Sequence, residues 1–495
     1  MSSTAESLLH HPIVARVAAF LREAGTPAWP VGGVVRDALL GRPLHDLDFA
    51  VAGDGLRLAR RLADELGGAF VALDVERLVG RVVITGEGRP LFVDLAALRG
   101  ADGIEADLWL RDFTVNAMAV DPASGALIDP TGGQADLQAR LIRAVSDQVF
   151  RDDPLRMLRA VRLTGQLGFA IEAATLALIR RDAGLIARPA AERVRAEFLA
   201  LVAPAGAAGR VRLVEALGLL AHLLPELLLG QGVTQSPPHL LDVYEHNLAV
   251  LAAVEELLPT IDLEYPSFDL ARSPGSYLWT ENGVLAPWRE RMAEHLAVEV
   301  SHEQPRWLLL KLAALLHDVG KPATRTVGDD GRIHFYRHET VGAEMVRAIL
   351  RRLRMPQKSV VWVGRIVANH LRPLQLSHRL PATRRAVYRY FRVTRNSGPD
   401  VALLSIADQR GKVFAQDRAP VGAVAQQLLA AYFDEYETFV AVQPLLSGRE
   451  IIALTGIEPG PRIGELIERL KEAQARGHVR ERESAIRYLR DLTRS

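Results

Sequence analysis

The hydrophobic period of this chain changes once along its length, and that change constrains the fold more than any other feature. In the first part, short runs rich in Val, Leu and Phe (residues 49–51, 69–73, 81–85 and 91–95) read as strands. They alternate with helical periods over 12–24, 34–40 and 56–66. From Asp147 onward every periodic stretch is helical. An α+β chain is therefore expected: a mixed α/β head over 1–145, a helical middle over 146–229, a histidine-bearing helical region over 240–422 and a helical tail over 423–495. A turn cluster, Asp129-Pro130-Thr131-Gly132-Gly133, closes the head, and residues 230–239 (GQGVTQSPPH) read as a linker. Residues 260–305, rich in Pro, Ser, Trp and Glu, read as an irregular insertion.

Composition narrows the chemistry. The chain has 495 residues and no cysteine, which excludes disulfides, thiolate metal sites, iron–sulfur clusters and a thiol nucleophile. Its longest apolar stretch, 217–229, contains His222 and Glu226 and is too short to span a bilayer. The first residues, MSSTAESLLHHP, show no basic segment followed by an apolar core, so a cytoplasmic protein without a membrane partner is expected. Lys and Arg number 60 against 59 Asp and Glu, but the charge is not evenly spread. Residues 347–395 hold thirteen Lys and Arg and no acid, leaving −12 for the remainder. Tyr388, Tyr390 and Phe391 interleave with Arg384, Arg385 and Arg389, a pattern suited to a nucleic-acid backbone.

Two features of the head carry chemistry. Gly32-Gly33 ends an apolar strand and opens a helix bearing Arg36 and Asp37, where bare backbone N–H groups and a guanidinium can meet a phosphate. Asp46 and Asp48 alternate on a strand and so share a face. Their repulsion is relieved by a hard divalent cation such as Mg²⁺, and Asp94 on a later strand could supply a third carboxylate.

VGGVVRDALLGRPLHDLDFAV (31–51) resembles the signature of the class II tRNA nucleotidyltransferase and bacterial poly(A) polymerase family. LRDFTVNAMAVDP (110–122) is similar to that family's second segment, although Leu110 stands where the family usually has Arg. The resemblance implies a polymerase-β-like head in which Asp46, Asp48 and Asp94 are catalytic. It also implies that Arg111 contacts the triphosphate and that Asp112 and Asn116 shape the ribose site. RDDPLRMLRAVR (151–162) follows in the family's order. Asp153 and Arg156 would there read the base, accepting cytosine or adenine through an amine beside a ring nitrogen, with Arg159 and Arg162 orienting the pair or reaching phosphates. The implied reaction adds C and A to the tRNA 3′ end from CTP and ATP with release of pyrophosphate.

Poly(A) polymerase, A-adding and CC-adding enzymes are rivals within the family. Residues 78–82 (LVGRV) lack the second Arg and the Phe of the poly(A) polymerase GRRF stretch, and the 62 residues between Asp48 and Arg111 are long enough for the flexible loop whose loss accompanies CC-only addition.

His246, His317-Asp318 followed by Val-Gly-Lys-Pro, His338, His370 and Asp408 resemble the HD phosphohydrolase superfamily. That resemblance implies His246, His317, Asp318 and Asp408 as ligands of one divalent metal, with His338 and His370 on a second metal or a phosphate. Imidazole and carboxylate suit Mn, Ni, Co, Fe or Zn. A chain acting only as an HD phosphohydrolase is the rival reading from another class.

Overall fold

The computed structural model describes residues 8–494 apart from 45, 86–89, 101, 262–282, 284 and 413–417. They form two compact units, one of residues 1–189 with 217–219, the other of 190–216 with 220–495.

The first unit is built on a five-stranded sheet. β1 (Ala28–Pro30), β2 (Asp46–Val51), β3 (Ala69–Asp74), β4 (Val79–Ile84) and β5 (Leu91–Ala97) lie in the order β1-β2-β5-β4-β3. Only β2 and β5 pair in parallel, in a register that sets Asp48 beside Asp94. α1 (Pro12–Glu23) precedes the sheet, and α2 (Gly33–Leu39) leaves the end of β1. α3 (Gly55–Leu66) begins at an Asp54 cap and ends at Gly67, and buries Leu58, Ala59, Leu62 and Ala63, the face that 3.6-residue periodicity dictates. It lies close to the sheet because Gly55 and Gly80 carry no side chain. A Cβ at Gly55 would sit 2.3 Å from the Leu78 carbonyl oxygen, and one at Gly80 would sit 2.6 Å from the Ala59 Cβ.

Regular elements consume nearly all of the stretch between Asp48 and Arg111. No connection from β2 through α3, β3, β4, β5 and α4 (Gly103–Trp109) exceeds the six residues 85–90. Among the described residues no long loop stands between Asp48 and Arg111; residues 86–89 and 101 lie outside them.

The predicted helix over 151–162 is broken. A short α5 (Val149–Asp152) stops at Asp153, whose backbone is extended, and α6 (Arg156–Leu167) starts after Pro154 and Leu155. Proline disfavours helical geometry in the residue before it, and Asp153 pays that constraint by leaving the helix.

The second unit is helical. α7 (Ala191–Val202), α8 (Ala207–Ala216), α9 (Val243–Leu257), α10 (Arg289–Ala297) and α11 (Arg306–Leu316) come first. A hairpin of β6 (Arg325–Val327) and β7 (Ile333–Phe335) then leads to α12 (His338–Arg352), α13 (Gln357–Asn369), α14 (Arg384–Thr394) and α15 (Gly398–Gly411). α11 and α15 are buried almost throughout; the apolar run of α11 accounts for its burial, while α15 buries Asp400, Ser405, Asp408 and Gln409 as well. Lys311, fully buried in α11, reaches Glu255 at 2.8 Å and donates to the carbonyls of Ala203 and Pro204. The tail comprises α16 (Arg418–Phe433), α17 (Gly448–Thr455), α18 (Pro461–Ala475) and α19 (Arg482–Arg494). The last three close around Ile451, Leu470 and Leu489.

Two further expectations change. Residues 230–239 are not a free linker but a loop tied into the second unit. The Tyr244 N–H donates to the Gly230 carbonyl, and Ser236 and Ile333 exchange hydrogen bonds. Of the expected insertion, residues 285–305 are ordered as a 3₁₀ turn, α10 and the short paired strands Glu299–Ser301 and Gln304–Pro305, while 262–282 and 284 lie outside the described residues.

Candidate functional site

In the first unit, the β2–β5 register brings Asp46, Asp48 and Asp94 to one end of the sheet, next to the Gly32-Gly33 turn. Gly32 has φ of 76°, and a Cβ there would lie 2.9 Å from Arg111 Nη1, so glycine is what lets this guanidinium stand beside the carboxylates. Burial, followed by the negative charges of Asp94 and Asp46, pushes the Asp48 carboxyl up to about 6 despite the pull of Arg111. Three carboxylates this crowded, one of them held back from ionising, fit a divalent cation.

Arg81 is a member of this site that the sequence reading missed. It faces Asp94 directly across the β4–β5 ladder and grips both carboxylate oxygens, at 2.7 and 2.8 Å, while its guanidinium lies over the Phe92 ring. Asp94 is thus spent as a partner of Arg81, and its contribution is negative charge beside Asp48 rather than a free base. An Arg and an Asp thirteen residues apart with a turn between them were the available signal.

The other head residues form a continuous chain of hydrogen bonds. Arg36 pairs with Asp37 and donates to Asn116 Oδ1 at 2.5 Å; Asn116 donates to Asp112 at 3.1 Å; Arg159 donates to the other Asp112 oxygen at 3.1 Å. Burial opposes the charge on Asp112, but Arg159 and Asn116 outweigh it and hold the carboxyl below its ordinary range. The Gly32 turn, the 110–122 segment and α6 are thereby locked together.

Asp153 and Arg156 do not share a helix face, contrary to the three-residue spacing. Asp153 sits at the break and caps the Leu155 N–H at 3.2 Å. Arg156 is buried and donates to the carbonyls of Leu110 at 2.9 Å, Arg111 at 3.3 Å and Val149 at 3.4 Å. Arg162 donates to Gln166 one turn on.

In the second unit, all six expected HD residues converge and are buried. His246, His317 and Asp408 form one group of donor atoms lying within 4.8 Å of one another, and Asp318, His338 and His370 form another. Asp318 stands between the groups: Oδ2 is 3.2 Å from His317 and 3.5 Å from His246, Oδ1 3.2 Å from His338 and 3.7 Å from His370. The two groups meet at Asp318, whose Oδ2 lies with His246 and His317 as in the expected set of four ligands and whose Oδ1 faces the expected further pair, His338 and His370. Backbone carbonyls accept from Nδ1 of His317, His338 and His370, turning Nε2 of each inward. His317 Nε2 and both Asp318 oxygens have no hydrogen-bond partner, only ion-pair neighbours. Buried, unsatisfied nitrogen and carboxylate donors fit a divalent transition metal.

Three more residues line this centre. Lys321 lies 2.5 Å from Asp318 and donates to Gln235, and Lys412 lies 3.2 Å from Asp408. His239 sets its ring 4.8 Å from that of His246, and burial, with the nearby Lys321, pushes it down to about 3. Lys321 was visible in the HDVGKP run; His239 was hidden inside the supposed linker.

The basic stretch finds acids elsewhere in its own unit. Arg385 and Arg389 both pair with Glu472 of α18, and Arg384 pairs with Glu435 at 3.3 Å and covers the Phe439 ring. Arg352 takes Glu226. The three arginines expected on RNA therefore dock α14 against the tail, their side chains still about half exposed. A one-dimensional charge count could not see partners 50 to 90 residues away.

Residues 28–143 match the poly(A) polymerase head-domain family, 290–410 the HD domain, and 168–229 a family described as a probable RNA and SrmB-binding site of polymerase A. The HD match begins after His246, which the fold alone brings to the cluster. The chain is 37% identical over 474 residues to the A-adding tRNA nucleotidyltransferase of Deinococcus radiodurans, covering 93% of this chain and 95% of that one. It is 36% identical to the CC-adding tRNA nucleotidyltransferase of Thermus thermophilus, covering 93% of each. Among solved structures, a CCA-adding enzyme in complex with CTP superposes with a TM-score of 0.61 at 20% identity, over 100% of this chain and 98% of that one.

Proposed function

Since the chain belongs to the class II tRNA nucleotidyltransferases that carry a poly(A) polymerase head and an HD domain, we propose that it builds the 3′ CCA end of tRNA from CTP and ATP, releasing pyrophosphate. The observation that carries this reading is the convergence of Asp46, Asp48 and Asp94 beside Gly32 and Arg111. Asp46 and Asp48 would hold Mg²⁺, which when bound neutralises triphosphate charge and polarises the α-phosphate. Arg36 and Arg111, fixed by Asp37 and Asp107, stand ready for the triphosphate, with Gly32 and Gly33 leaving their backbone open to it. Asn116 and Asp112 set the ribose. Asp153 and Arg156 read the Watson–Crick edge, Arg156 exchanging its long contacts to the Arg111 and Val149 carbonyls for the base. Rate enhancement then comes mostly from positioning and charge neutralisation.

A second reading, addition of the two C residues alone, is favoured by a specific observation: the regular elements between Asp48 and Arg111 are separated by at most six residues, a short span for the flexible loop associated with A addition. Purified protein, Mg²⁺ and tRNA lacking its 3′ end, given CTP, ATP or both and read at single-nucleotide resolution, separates the readings. C, C and A supports the main one, a stop after two C residues the second, and a long A tract a poly(A) polymerase. No addition with phosphate release supports the HD rival.

The HD cluster we assign to a divalent transition metal, either Mn, Ni, Co, Fe or Zn. Among the described residues no helix is long and apolar enough to cross a membrane, and CTP, ATP and tRNA as substrates support a cytoplasmic protein.

A further inference from the structure

Neutralisation of Arg384, Arg385 and Arg389 does not discharge the basic stretch; positive charge remains toward the C-terminal end of α14 and on α13. There a cavity of about 510 Å³ opens between α13, α14 and the tail. Arg365 comes from α13, Arg392 and Arg395 from the end of α14, and Lys471 from α18. The cavity has one carboxylate, Glu468, and that group already serves Lys471 at 3.9 Å and the Tyr388 hydroxyl at 3.4 Å. Among the described residues, Arg365, Arg392 and Arg395 have no acidic partner.

Like charges are gathered here at a cost. Burial, followed by the repulsion of Arg395 and Arg347, holds the Arg365 guanidinium below its ordinary affinity for a proton. Arg395 adopts φ of 51° and ψ of −134°, a backbone region that favours glycine, and is kept there by the surrounding turn, in which Tyr436 donates to Asn396. Trp362, Tyr388 and Phe391 wall the cavity, and an apolar wall strengthens attraction between a guanidinium and an anion. Several cations that repel one another in a concave site, with the only carboxylate committed, are a built receptor for closely spaced negative charges.

We propose that this cavity grips the sugar–phosphate backbone of tRNA, and that Arg365 and Arg395 are its principal phosphate contacts. The assignment rests on the proposed function for the partner's identity, and it moves the RNA-binding role of this unit from Arg384, Arg385 and Arg389 to the cavity. Spaced backbone phosphates would bridge Arg365, Arg392 and Arg395, relieving their repulsion and leaving the bases unread, as suits an enzyme that accepts every tRNA.

The experiment measures tRNA affinity across a salt series for the full chain and for Arg365→Gln, Arg395→Gln and the double variant, with CTP binding and thermal melting in parallel. The double variant should bind tRNA about tenfold more weakly at moderate salt, with a log–log salt slope smaller by about 2. CTP binding should not move. Arg365→Gln should melt no lower than the parent, since it removes a repelled charge; a residue with a purely structural role would lower the melting point and leave the salt slope alone. Arg395→Lys should recover part of the affinity. Unchanged tRNA affinity and slope in the double variant would overturn the proposal, even if inorganic pyrophosphate binds in the cavity. A chain that adds no nucleotide yet loses tRNA affinity in the double variant would sink the proposed function and leave the cavity standing.

Discussion

Replacing Asp48 by Asn tests the head site without relying on catalysis. Asp48 is an acid whose folded-state pKa, about 6, lies above its ordinary 3.8. At about pH 3 and below it is protonated in both folded and unfolded chains and contributes nothing. As pH rises from about 4 to 6 the unfolded chain ionises first, so folding loses stability, and above 6 the loss stays constant. A shift of about two units at about 1.4 kcal/mol each sets a ceiling near 3 kcal/mol. The partly open face of the side chain reduces the expected value to about 1–2 kcal/mol.

In metal-free buffer, Asp48→Asn should therefore stabilise the head by that amount at pH 8 and by almost nothing at about pH 3. Mg²⁺ should reverse the comparison: at about 100 times its dissociation constant it adds about 2.7 kcal/mol to the parent and little to the variant. Hydrogen exchange of peptides covering 46–51 and 91–97 reads both effects locally, without assuming that the two units unfold together. A full gain that persists at about pH 3, or equal Mg²⁺ protection of both proteins, would refute the crowding argument.

Other outcomes follow from individual contacts. Asp153→Ala should lose the preference for CTP and ATP over UTP and GTP while keeping Mg²⁺ binding, read by incorporation of each nucleotide alone; unchanged selectivity would remove Asp153 from base reading. Arg156→Ala should in addition cost about 1–2 kcal/mol in denaturant melts, because it removes a buried side chain and leaves the carbonyl of Val149, and the part-buried ones of Leu110 and Arg111, without their donor. Asp318→Ala should abolish metal retention measured by elemental analysis yet leave nucleotide addition at the parental rate. Gly320→Ala should do the same indirectly, since its Cβ would lie 2.4 Å from the His338 carbonyl oxygen and 2.5 Å from the Gly342 nitrogen, forcing the two ligand triplets apart.

What the sequence disclosed and what it hid divide along one physical line. Features that depend on neighbours in the chain were legible. The period of 49–51 and 91–95 marked strands that became β2 and β5, the Leu58, Leu62 spacing marked α3, and the HD residues announced themselves by type and order. Features that depend on what the fold brings opposite were not. Asp94 looked like a free carboxylate because nothing in LFVDLAA shows that Arg81 will stand across the ladder. Arg384, Arg385 and Arg389 looked like an open cationic stripe because Glu435 and Glu472 lie far along the chain. His239 looked like linker because its loop is held by contacts to residues 243–244 and 333 rather than by any periodicity of its own.

The case of residues 151–162 is different, since both signals were local and one overrode the other. A three-residue spacing of Asp153, Arg156 and Arg159 favours a shared helix face, but Pro154 restricts its predecessor to extended backbone. The proline wins because its restriction is steric, while the periodic pattern only ranks conformations that remain allowed. Its consequence bears on the proposed base reading: Asp153 leaves the helix, keeping the Arg156 N–H on its backbone carbonyl at 3.1 Å, while the Arg156 side chain is turned to the carbonyls of Leu110, Arg111 and Val149. If the two side chains read a base together, as proposed, the long Arg156 contacts to Arg111 and Val149 are the ones to be exchanged, and the selectivity of the Asp153 and Arg156 variants tests that exchange.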